Sequence, residues 1–100
     1  MLKITVHERP EMTTLQLEGK VIGPWVKEFD QVWRSLANSQ TVKKVCIDLR
    51  DVTQMDLDAR LILAEIYKRT RADFLTDTPI SEYFAAEARR SQIKHGEEKI

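Results

Sequence analysis

Leu2, Ile4 and Val6 alternate with Lys3, Thr5 and His7, so the chain opens on a strand with one buried face and one wet face. Arg9-Pro10-Glu11 interrupts it, because proline lacks the donor that a ladder needs. A second strand is predicted from Thr13 to Gly19, with Leu15 and Leu17 on one side, and the two strands read as an antiparallel hairpin. Gly23-Pro24 then opens a helix, since proline suits the first helical position. Trp25, Phe29, Val32, Trp33 and Leu36 form its apolar stripe, and Asn38-Ser39-Gln40 ends the pattern. Val45-Cys46-Ile47-Asp48-Leu49 is short and almost continuously apolar, which predicts a central strand covered on both faces by helices.

An aspartate-rich loop is expected from Arg50 to Leu57, and a second helix from about Asp58 to Arg69. Leu61, Ile62 and Ile66, with Ala59, are assigned to its inner face. Ala72 to Leu75 reads as a brief fourth strand. Thr78-Pro79 supplies a capping hydroxyl and a first-turn proline for a third helix through about Arg90. The order implies a small mixed α/β sheet: an antiparallel hairpin, then parallel right-handed crossovers, with three helices packed on it. Residues 1–90 make a single domain, and the polar stretch 91–100, which has no period, reads as a C-terminal tail.

Composition narrows the function classes. Sixteen basic and sixteen acidic residues cancel, which argues against bulk attraction to nucleic acid or an anionic membrane. A single cysteine excludes an internal disulfide framework and a cysteine zinc finger, and no apolar run approaches the roughly 20 residues of a membrane span. The strand-like start lacks a signal-peptide core, so the expected location is cytoplasmic. The sequence contains no nucleophile elbow, no zinc-binding His pair and no Gly-rich phosphate loop. Cys46 reads as a small core residue, and no cofactor is called for.

The most informative stretch runs from Ile47 to Ala59, where Asp48, Asp51, Asp56 and Asp58 sit on the segment leaving a central strand. Ligands of open α/β sheets gather at that carboxyl end. Asp58 is placed at the N-cap of the second helix, where its carboxylate accepts backbone N–H bonds. A magnesium site is the sharper reading, but the spacing matches no known signature, and Arg50 and Arg60 are close in sequence.

Val45-Cys46-Ile47-Asp48-Leu49, then Val52-Thr53, then Asp56-Leu57-Asp58-Ala59, in this order of elements, resembles the STAS domain of sulphate transporters and anti-sigma factor antagonists. That family's pattern is an apolar strand ending in Asp-Leu, followed by Asp-Ser-Ser-Gly opening a helix. The resemblance covers residues 2 to 90. By it, Asp48 matches the strand-ending aspartate and Asp56 the first residue of Asp-Ser-Ser-Gly. Asp58 takes the position of the serine or threonine that an anti-sigma kinase phosphorylates, Ala59 replaces the glycine, and Arg60 falls at a usually apolar place.

A carboxylate cannot accept a phosphate in a stable ester, so the serine switch is absent, and Thr53 is the nearest alternative acceptor. Asp58 instead carries one fixed negative charge where phosphoserine carries about two. The resemblance therefore implies a non-enzymatic regulatory module of bacterial signalling. Asp56, Leu57, Asp58, Ala59 and Arg60 would bind a protein partner, with Asp48 and Thr53 in support. That partner would be an anti-sigma-type kinase, a signalling assembly or a transport ATPase, without nucleic acid, metal or membrane insertion. The competing classes are a metal-dependent enzyme or phosphotransfer domain using Asp48, Asp51 and Asp56, and a ligand-binding accessory subunit of a transport system.

Overall fold

The computed structural model describes residues 1–38 and 43–97, those from 91 onward as backbone. The elements are β1 (Leu2–Glu8), β2 (Met12–Val21), α1 (Pro24–Ala37), β3 (Lys44–Met55), α2 (Leu57–Thr70), β4 (Asp73–Leu75) and α3 (Pro79–Glu97). They build one four-stranded sheet of order β1-β2-β3-β4. β1 and β2 are antiparallel, and β2, β3 and β4 run parallel. The hairpin turn is closed by the Arg9 N–H on the Met12 carbonyl at 2.9 Å, with Pro10 in the turn where its fixed φ fits.

Strand order follows chain order, so both crossovers step the same way along the sheet. Right-handed crossovers then put α1 and α2 on the same face, and α3 packs back on α2 and β3. Leu15, Leu17, Ile47 and Leu49 of the sheet meet Phe29 and Trp33 of α1, Leu63 and Ile66 of α2, and Phe84 and Ala88 of α3 in one core. β3 lies between β2 and β4 as expected, but helices cover one of its faces and not both. The run 45–49 is an alternation in disguise: Val45, Ile47 and Leu49 face the helices, while Cys46 and Asp48 face away. Counting Cys46 as apolar is what made the run look continuous.

β3 also outlasts its predicted end. Arg50 to Met55 is strand, not loop, and pairs with the far end of β2 through two register shifts. Those irregularities break the period of two, so Leu49, Val52 and Met55 are buried at a spacing of three.

On α2, Ala59 and Ile66 are buried and Ile62 packs on the core as expected, but Leu61 is 53% exposed and Leu63 is fully buried in its place. The run Leu61-Ile62-Leu63-Ala64 allows either leucine inward beside Ala59 and Ile66, and the helix turns Leu63 to the core. α3 begins as predicted, with the Ser81 N–H on Thr78 Oγ1 at 3.1 Å. It continues beyond Arg90 as helical backbone to Glu97, across most of the segment read as a tail.

Candidate partner-binding surface at the start of α2

The carboxyl ends of β2 and β3 lie side by side, so the starts of α1 and α2 do too. Asp56 joins them. Its Oδ1 accepts the Ala59 N–H at 3.0 Å, and its Oδ2 accepts the Gly23 N–H, at the start of α1, also at 3.0 Å. Its own N–H donates to the Val21 carbonyl at 3.2 Å. One carboxylate thus serves the starts of two helices, where their dipoles favour negative charge. Gly23 adopts φ 57° and ψ −131°, and a Cβ there would meet nothing within 4 Å. Conformation, not space, therefore calls for glycine at this position.

This corrects the assignment of Asp58 as the cap. Asp56 is the N-cap, and Asp58 lies in the first turn of α2 with its side chain exposed. The five residues assigned to partner binding divide accordingly. Leu57 is 59% exposed and Asp58 is exposed, whereas Ala59 is fully buried in the core and belongs to packing, not to a contact surface. Asp56 is half-buried in its two-helix clasp. Arg60, also half-buried, faces Glu87 of α3 at 3.7 Å, while its Nε and Glu87 Oε1 are buried without a hydrogen-bond partner.

The supporting residues sit elsewhere. Thr53 is exposed on β3, and its hydroxyl donates to the Gly19 carbonyl at 3.3 Å. Asp48 lies on the sheet face away from the helices, in the last pair that β3 makes with β4, Asp48 with Leu75. Its carboxylate accepts the Arg50 N–H at 3.1 Å and takes the guanidinium bidentately at 3.0 and 2.9 Å. These bonds hold the Asp48 carboxyl below its ordinary value, against the opposing effect of its burial. Asp48 and Asp51 lie on β3 and Asp56 just past its end, and among the described residues no group of three acidic, His or Cys side chains is placed to hold a metal ion.

Two features escaped the sequence reading. Leu61 joins Leu57 one turn apart on the outer face of α2, flanking Asp58 with exposed apolar surface. The clasp of Gly23 by Asp56 spans 33 positions and carries no local signal beyond the Gly-Pro pair itself.

The STAS domain family model matches residues 3–74. The chain belongs to the STAS domain family. Solved structures agree on the fold. An uncharacterized protein of the DUF3478 family from Shewanella loihica PV-4, described as having a SpoIIAA-like fold, superposes with a TM-score of 0.53 at 11% identity, covering 82% of this chain and 72% of that one. A structure of Mglu gives a TM-score of 0.59 at 18% identity over 75% of this chain, and a second, of its native form in 4.3 M NaCl, gives 0.50 at 14% over 74%. This STAS chain corresponds to 19% and 26% of those two Mglu chains, a minor part of each. No curated protein matches the sequence. Among the described residues of this STAS domain, no helix is long and apolar enough to cross a membrane.

Proposed function

We propose that this STAS domain is a non-enzymatic regulatory module that binds a protein partner through Leu57, Asp58 and Leu61, with Arg60 at the edge, and that it is held in one charge state. The observation that carries the reading is the division of labour between two aspartates. Asp56 supplies the helix cap, so the exposed Asp58 carboxylate has no capping duty. It sits between two exposed leucines, and the resemblance in motif order matches it to the position where switching STAS members carry the phosphorylated hydroxyl. Apolar surface around a fixed charge suits an interface with an apolar centre and a complementary cation. The partner class is an anti-sigma-type kinase, a signalling assembly or a transport ATPase.

The test is Asp58→Ser, assayed with an anti-sigma-type kinase and ATP and by affinity for the captured partner. The thermal midpoint should stay unchanged while affinity shifts about tenfold, equal to about 1.4 kcal/mol. The serine variant should gain phosphate, and the parent chain should take none between 56 and 60. Stoichiometric phosphate on Thr53 of the parent chain, or an affinity indifferent to Asp58→Ser, would overturn the fixed-state reading.

A further inference from the structure

At the pole opposite the start of α2, the last turns of α1 and α2 leave a cavity of about 410 Å³ over the amino ends of β2 and β3. Trp33 forms its inner wall at 3% exposure, and Leu36 and Val45 line it as half-buried apolar surface. Glu8, Lys43 and Arg69 supply its charged side chains. The space is a recess partly open to solvent, and its volume falls within the range of small-molecule sites. Its lining is mixed, with Thr13 and Thr70 beside the charged groups, so an amphipathic guest matches it better than a wholly apolar one.

The charges choose the kind of guest. Glu8 is engaged by Lys43 at 2.9 Å, a cation with only 18% of its side chain exposed. Arg69 meets Glu65 through Nε at 3.3 Å, with 56% of its side chain exposed. A guanidinium carries five N–H donors in a planar fork, and one contact through Nε does not use them up. A carboxylate presented from within the cavity completes that fork, whereas an ammonium would meet two cations and one carboxylate, Glu8, that Lys43 already engages.

We infer that this cavity binds a small amphipathic carboxylate, its apolar body against Trp33, Leu36 and Val45 and its head at Arg69, with Lys43 in support. The inference goes beyond the partner-binding reading and is independent of it, because Asp56 and Asp58 lie at the other ends of the same strands.

Sodium decanoate is the probe, titrated into Trp25→Phe so that Trp33 alone reports, with thermal shift of the unaltered chain as the parallel measurement. The expected result is a saturable change below roughly millimolar ligand. Octanoate should bind about sixteenfold more weakly, at about fourfold per methylene lost from the apolar wall. Arg69→Gln should weaken decanoate about tenfold and leave decanol unchanged, a split that loss of folding would not produce. Absence of saturation in both measurements, decylammonium binding as tightly as decanoate, or decanoate affinity indifferent to Arg69→Gln would each overturn the proposal.

Discussion

Asp56 and Asp58 are two residues apart and chemically identical, yet they do different work. Asp56 bonds the backbone N–H groups of Ala59 and Gly23, while Asp58 stands in the first turn and leans on the helix dipole alone. Asp56→Ala should therefore cost about 2 kcal/mol, the upper end for a lost cap, because two amides lose an acceptor. Asp58→Ala should change stability by about 0.5 kcal/mol or less. Urea unfolding of the two variants separates them, and equal losses would return the capping role to Asp58. The sequence showed that an aspartate caps this helix but not which one, since either offers the same acceptor and the choice depends on a backbone path set 33 positions away. Asp48 supplies the second test at this scale. Its depressed carboxyl contributes stability above the ordinary carboxylate pKa near 3.9, lost as pH falls through the lower folded value. Arg50→Gln removes the cause of that depression, so the variant should melt well below the parent at pH 7. The gap should close in strong acid, where Asp48 is protonated in both. A gap of constant size from pH 7 to about 2 would show that Arg50 acts through packing and not through the carboxylate.

Whole elements were more legible than their edges. All seven were visible, the longer ones because their apolar patterns outrun the noise: Phe29 and Trp33 bury as the stripe of α1 required, and Leu15 and Leu17 as the alternation of β2 required. The errors came where two patterns overlap. In α2, four consecutive apolar residues support two rotations about the helix axis, and only contact with the sheet chooses between them. In β3, register shifts against β2 replaced a spacing of two by one of three, which imitates a loop. The phase of α2 can be checked directly. Leu61→Lys should leave the urea midpoint within about 0.5 kcal/mol of the parent, because the side chain already faces solvent. Leu63→Ala should cost about 2–5 kcal/mol from the fully buried site. Similar losses at both would place Leu61 in the core after all.

At the scale of the molecule, three helices share one face of the sheet and leave the other to Thr14, Gln16, Cys46 and Asp48. Cys46 is nonetheless buried, hemmed by its strand neighbours, and that burial pushes its thiol up. The mixed sheet and its crossovers were readable from the order of elements, because handedness leaves few alternatives. The missing cover on the second face was not readable, since it depends on every crossover stepping the same way. That same sequential order bears on assembly. Each new strand joins the edge left by the one before, so a chain emerging from the ribosome can build the sheet from one side to the other, starting with the hairpin, and no finished strand need be parted to admit a later one. Only the opening hairpin is local: the crossovers to β3 and β4 each contain a whole helix, so the parallel pairs close more slowly than it does. The edge of β3 stays open along Cys46 to Asp48 until Asp73 to Leu75 arrive, and the last helix then packs on α2. A nascent chain halted before residue 73 would hold that edge open, making it the stage most prone to mispairing.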